Sequence, residues 1–208
     1  MKYKKYFRKT SLKQKNIGDL FLEEIQKRNP KSFLEIGIFH GVTARNVCEL
    51  MYQNHGQDFN YTGVDIFDEG DQYKDEIAPV KTFNNPLKNF YFKYIRKQNP
   101  YSLEAVEDLL SKFKKNTTIL KGNSNEILKN IELEKVDFIF IDGGHEYNTV
   151  KNDLAHSHRL IKNKGTILCD DFNLSQALGV RQAIKEFSNE NKIKYEIVHG
   201  RFAKFDFN

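Results

Sequence analysis

The chain has 208 residues, enough for one domain with a sizeable core, and its only cysteines, Cys48 and Cys169, exclude a disulfide framework. No apolar run approaches the roughly 20 residues needed to cross a bilayer, and the lysine-rich opening lacks the apolar centre of a signal peptide, so the expectation is a soluble cytoplasmic protein without a membrane partner. Lysine and arginine (33) outnumber aspartate and glutamate (28) for a net charge of +5, which permits an anionic partner without specifying one.

The excess charge is concentrated at the start, where Lys2, Lys4, Lys5, Arg8, Lys9, Lys13 and Lys15 form a basic tail. Ile17, Leu20, Phe21 and Ile25 then recur at helical spacing, and Arg28-Asn29-Pro30 stops that helix. Residues 1–31 therefore read as a tail and helix ahead of a domain spanning 32–208. In that domain, strand patterns at 32–38, 61–67, 117–121, 136–141 and 166–169 alternate with helical patterns at 41–53, 125–131, 146–161 and 176–191. Two closing strands, 194–199 and 201–207, suit a hairpin around Gly200. The alternation predicts an α/β fold: a Rossmann-like, doubly wound, mostly parallel sheet of seven strands, with an antiparallel C-terminal strand and helices on both faces. Cys48 falls in a helix and Cys169 in a strand, as small buried side chains.

One segment breaks the rhythm. Residues 68–115 separate the second strand from the third and contain an acidic opening (Asp68, Glu69, Asp71, Asp75, Glu76), then Lys88, Lys93, Arg96 and Lys97 interleaved with Phe90, Tyr91, Phe92 and Tyr94, and a helical stretch at 103–113. A connection this long reads as a lid over a substrate.

Chemistry is concentrated where strands end. The fourth strand runs into Asp142-Gly-Gly-His145 and the fifth into Asp170-Asp171, so three carboxylates converge at the edge where open α/β sheets bind ligands. They repel one another unless something positive lies among them: a hard divalent cation, or a cationic ligand. The first strand turns into its helix through Glu35-Ile-Gly37-Ile-Phe-His-Gly41-Val-Thr43, an E-x-G-x-x-x-G pattern in which Phe39 replaces the middle glycine of a dinucleotide-binding loop. Gly37 and Gly41 leave room for a ligand beside the backbone. Asp65 ends the second strand, placed for ribose hydroxyls, and Asn123-Ser124 closes the third, where Ser124 is equally a helix cap.

Taken together these residues resemble class I S-adenosylmethionine-dependent methyltransferases over roughly residues 32–207, and within them the metal-dependent O-methyltransferases of the catechol and caffeoyl-CoA types and their sugar-modifying relatives. The resemblance implies that Glu35, Gly37, Gly41 and Thr43 surround the methionine part of S-adenosylmethionine, Asp65 its ribose, and Asn123 and Ser124 its adenine end. It implies that Asp142, which also borders the cofactor, joins Asp170 and Asp171 in holding a divalent cation, with Mg²⁺ first in expectation. Two positions depart from the catechol type. Asp170-Asp171 replaces an Asp-Asn pair, and His145 replaces a lysine general base, as in the sugar-modifying branch; a histidine titrating near 6.5 can remove a hydroxyl proton near neutrality.

The expected reaction is therefore O-methylation of a small hydroxylated acceptor, a sugar or polyhydroxylated metabolite, phosphorylated or nucleotide-linked, by Asp142 and His145 in a protein able to form a homo-oligomer. Two alternatives stand beside it. The basic tail and aromatic-basic run suit a nucleic-acid methyltransferase, against which the carboxylate trio argues, and a non-catalytic binding module would keep the fold without the chemistry. The structural reading of the strand-end aspartates is helix capping, and that of His145 a surface pair with Glu146. His156 and His158 read as surface residues, His40 as shaping its loop, and Asn173 as a minor candidate for metal or substrate.

Overall fold

A computed structural model describes residues 8–67 and 83–207. Lys2, Lys4 and Lys5 of the basic tail, and the acidic opening of the insertion, lie outside the described residues. Seven strands, β1 (Ser32–Ile36), β2 (Asn60–Asp65), β3 (Thr117–Lys121), β4 (Val136–Ile141), β5 (Ile161–Cys169), β6 (Tyr195–Val198) and β7 (Phe202–Asp206), form one sheet in the order β3-β2-β1-β4-β5-β7-β6. The first five are parallel, and β7 pairs antiparallel with both β5 and β6, so the sheet is the expected one. Strand order reverses between β1 and β4, the switch point at which such sheets open a crevice.

Period-two alternation divides the core. Phe33, Phe138 and Phe140 face helices α1 (Ile17–Arg28) and α2 (Val42–His55), where Phe21 sits 4.5 Å from Phe140 between ring centroids. Leu34, Ile36, Ile139 and Ile141 face α5 (Ser124–Asn130), α6 (Tyr147–Leu160) and α7 (Leu178–Asn191) on the other side. Each such wholly buried side chain contributes on the order of 1.5–3 kcal/mol of burial free energy. Both cysteines are buried and free.

Boundaries shift for local reasons. β1 stops at Ile36 because Gly37 turns to a φ of 91°. β5 begins at Ile161, directly at the end of α6, where apolar content gave no sign of a strand over Lys162-Asn163-Lys164. In the described part of the insertion, the helical stretch breaks into α4 (Leu103–Leu109) and a 3₁₀ turn at Ser111–Phe113. The aromatic-basic run itself is helical, α3 (Pro86–Phe90) continuing as a π-helical turn over Tyr91–Arg96. Among the described residues no helix is long and apolar enough to cross a membrane.

Candidate active site

Hydrogen bonds just past the strand ends align the site. Gly37 N donates to Val64 O at 2.9 Å, Asp142 N to Ile36 O at 2.8 Å, and Asp170 N to Ile141 O at 2.9 Å. Gly37, Asp142 and Asp170 therefore stand side by side along one rim of the sheet. A side chain at position 37 would place its Cβ 2.1 Å from the Asp142 carbonyl oxygen, so glycine there lets the two loops touch. The Cβ side of Gly41 is likewise filled, by Val106 and Leu109 of α4. The space that each glycine leaves on that side is taken by the chain itself.

The strand-end aspartates meet. One carboxylate oxygen from each of Asp142, Asp170 and Asp171 lies within 4.8 Å of the others. His145 Nε2 is 3.0 Å from Asp171 Oδ2, so the histidine joins this group. Asp171 adopts a left-handed φ of 58°, and its amide donates to Asp170 Oδ1 at 2.7 Å. Asp142, His145, Asp170 and Asp171 border a recess of about 10 Å³, room for one ion or water but not for a substrate.

Charge in this group is not balanced. Burial, and then the nearby charges of Asp170 and Asp171, push the Asp142 carboxyl well above the usual carboxylate range, with Arg201 opposing only in part. Burial likewise raises Asp170, against the hydrogen bonds of Arg201. Three hard oxygen donors around an ion-sized recess, in need of positive charge, fit a divalent cation.

Arg201 has no counterpart in the sequence reading. It comes from the turn between β6 and β7, forks onto Asp170 through Nε and Nη2, the latter 2.5 Å from Oδ2, and reaches Asp171 Oδ1 at 3.3 Å. No local motif marks it, because only the antiparallel pairing of β7 with β5 brings residues 201 and 170 together. Asn173, the minor candidate, donates instead to Gly200 O at 2.9 Å and braces the same turn.

The glycine loop has its own framework. Asp65 is buried and its carboxylate is engaged by four donors: Ile38 N and Phe39 N on Oδ2, both at 2.7 Å, and Phe67 N at 2.8 Å and the Tyr101 hydroxyl at 2.9 Å on Oδ1. It shapes the loop in addition to standing where a ribose was expected. Glu35 departs further from expectation. Strand alternation turns it to the α2 face, wholly buried, with the Tyr61 hydroxyl donating to its Oε2 at 2.5 Å, so its carboxyl faces Tyr61 and not the rim. Burial pushes it up to about 8 despite the Tyr61 hydrogen bond. Thr43 is buried in the first turn of α2. Asn123, not Ser124, caps α5: its side chain accepts from Asn125 N at 2.9 Å, and Ser124 is the first helical residue.

The described N-terminal residues close over the loop. Arg8 is buried and donates to the carbonyls of His40 (3.3 Å), Pro100 (3.2 Å) and Ala105 (2.9 Å), tying tail, loop and insertion together. His40 accepts from Lys9 N through Nδ1 at 3.1 Å. Burial, and then the charges of Arg8, Lys9 and Lys13, lower its pKa to about 3, so it is neutral and shapes the loop as expected. Of the two helix histidines, His158 is exposed and packs edge-on to Phe187, and His156 is half-buried.

Comparison with known proteins agrees with this geometry. Residues 34–172, about two thirds of the chain, match a family described as a methyltransferase domain, and the protein belongs to that family. No curated protein matches it in sequence. Its fold is shared by the O-methyltransferase NovP (14% identity, TM-score 0.66, covering 92% of this chain and 80% of that one). It is shared by CalS11, a TDP-rhamnose 3′-O-methyltransferase of calicheamicin biosynthesis (12%, 0.63, 95% and 82%), and by an O-methyltransferase from Bacillus cereus in complex with SAH (12%, 0.58, 93% and 80%). The expected class I methyltransferase architecture is therefore borne out.

Proposed function

We propose that the protein is an S-adenosylmethionine-dependent O-methyltransferase acting on a small hydroxylated acceptor, a sugar, nucleotide-sugar or polyhydroxylated metabolite. The observation that carries this reading is the contact of His145 Nε2 with Asp171 Oδ2, beside Asp142 and Asp170, on the rim where the glycine loop opens. Sharing a fold with CalS11 and with a protein that holds SAH supports it.

When bound, S-adenosylmethionine supplies a methyl group on a sulfonium, and a divalent cation, Mg²⁺ first among candidates, supplies positive charge for the acceptor oxygen. The Gly37–Gly41 loop and Asp65 frame the cofactor side of the rim, with Thr43, Asn123 and Ser124 at its ends. Asp142, Asp170 and Asp171 hold the cation. His145 donates its Nε2–H to Asp171 Oδ2 and takes the acceptor's hydroxyl proton at Nδ1, and Asp171 thereby orients the ring and stabilises the imidazolium. Exposed Leu174 and Leu178, just beyond the acidic pair, offer apolar surface to the acceptor. The described part of the insertion, with Tyr101 at Asp65, serves as the lid.

The test is a screen of sugars, nucleotide-sugars and polyols for methylated product with S-adenosylmethionine and Mg²⁺, comparing wild type with Asp142→Ala and His145→Ala. Removing a general base lowers turnover by about 10²–10⁴-fold. Product formed equally well by His145→Ala would remove the histidine from the reaction, and metal-dependent turnover unchanged in Asp170→Asn/Asp171→Asn would remove the cation site.

A further inference from the structure

Three aspartates at one rim call for positive charge, and the folded chain brings some of its own. Arg201 makes a two-pronged contact with Asp170, the geometry in which guanidinium and carboxylate bind most strongly, and its Nη2 also meets Asp171 Oδ1 and, at 2.9 Å, Ser11 Oγ. The turn that presents it is held from both sides. His199 and Gly200 take left-handed φ values of 54° and 66°, Arg201 N donates to Val198 O at 3.2 Å, and Arg201 O accepts from Phe172 N at 3.0 Å. Only a fifth of the Arg201 side chain is exposed, and Asp170 is almost wholly buried. Exposed ion pairs contribute little and are easily exchanged; this one is enclosed and braced.

We propose that Arg201 is a positioning residue acting as the resident counter-cation of the strand-end aspartates: it holds Asp170 and Asp171 in place while no divalent ion is bound, and competes with that ion for them. The inference rests on the cation reading given above. The fork occupies one side of each Asp170 oxygen, and its charge stands in contact with two of the three ligands. A charge at such separation changes proton binding by roughly 10- to 1000-fold, and a divalent ion feels it doubly. Loss of one ordering contact opposes this by less. The cluster therefore holds its ion weakly and reversibly, and Arg201 returns to Asp170 when the ion leaves.

The test is Mn²⁺ binding to the full-length protein by isothermal titration at fixed pH and ionic strength, for wild type, Arg201→Gln, Arg201→Lys and Asp142→Asn. Arg201→Gln is expected to bind at least about tenfold more tightly than wild type, and Arg201→Lys, which keeps the charge, close to wild type. Equal or weaker binding by Arg201→Gln overturns the proposal; if Asp142→Asn abolishes binding in that case, the cation reading survives alone. Uptake by Arg201→Gln with none by wild type supports the competition and shows it to be strong. No uptake by any form ends both readings. Should Arg201→Gln fail to fold, the guanidinium Nε–H resonance of wild-type Arg201 decides: it shifts on saturation with Mg²⁺ if the fork loosens, and an unmoved resonance overturns the proposal.

Discussion

Tyr101 reaches across from the insertion and places its hydroxyl 2.9 Å from Asp65 Oδ1, joining the insertion to the carboxylate that shapes the glycine loop. Asp65 is separated from Tyr101 by 36 positions, and this bond joins the insertion to the glycine loop alongside the Arg8 contacts with His40, Pro100 and Ala105. Tyr101→Phe keeps the ring among Phe39 and Phe67 and removes only the donor. A hydrogen bond to a charged group contributes about 1.5–3 kcal/mol. Urea unfolding is expected to show a loss of that order, and amide exchange over 100–106 to speed up. An unchanged exchange pattern would mean that this segment is held by packing and the Arg8 hydrogen bonds without the Tyr101 hydroxyl.

Gly37→Ala tests the contact between the first and fourth strand ends. The added carbon has no place, 2.1 Å from the Asp142 carbonyl oxygen and 2.7 Å from Gly143 Cα, and the φ of 91° adds strain. The loops must separate, so S-adenosylmethionine affinity, measured calorimetrically, is expected to fall by at least about tenfold, corresponding to roughly 1.4 kcal/mol. Because most of the core lies away from this rim, far-ultraviolet circular dichroism should stay native. Wild-type affinity in this variant would show that the rim tolerates the separation.

Glu35 gives a pH signature. Its folded pKa, raised by burial to about 8, exceeds the unfolded value of about 4.3. The folded state therefore binds the proton more tightly. Stability from this group is fully present below the unfolded pKa and is lost as pH rises toward 8. Glu35→Gln carries no charge, and its thermal midpoint is expected to vary less than that of wild type between pH 5 and 8 and to exceed it at pH 8. Parallel curves for the two proteins would show that Glu35 is ionised in the fold.

Asp137 provides the opposite sign at the other end of the sheet. Its Oδ2 accepts from Lys31 N (3.0 Å), Ser32 N (2.9 Å) and Ser32 Oγ (2.8 Å), and Oδ1 meets Lys162 Nζ at 2.9 Å. Burial alone would raise its pKa, but the bonds from Lys162, Ser32 and Lys31 outweigh burial and lower it. Its contribution is present above the unfolded value of about 3.9 and is lost as pH falls through the folded one. Asp137→Ala is expected to cost about 1–3 kcal/mol at neutral pH by chemical denaturation, to flatten the acid limb, and to leave turnover intact because the site is at the opposite rim.

What the amino-acid order determined by itself is the local alternation. Buried strands read as apolar runs because both faces are covered, and each ends where glycines and carboxylates interrupt the run, which is why Gly37, Asp65, Asp142, Asp170 and Asp171 were visible as strand-end residues and the sheet as mostly parallel. Short-range capping was less certain: Asn123 and Ser124 are both good cap residues, and only backbone geometry chose Asn123. Tertiary structure alone decided what faces what. Strand alternation turned Glu35 toward Tyr61, the insertion brought Tyr101 to Asp65, the N-terminal segment drove Arg8 under three carbonyls, and the antiparallel return of β7 set Arg201 against Asp170. Each of those contacts joins residues at least 26 positions apart. No window of sequence contains both partners, and their energy exists only once the strands are ordered.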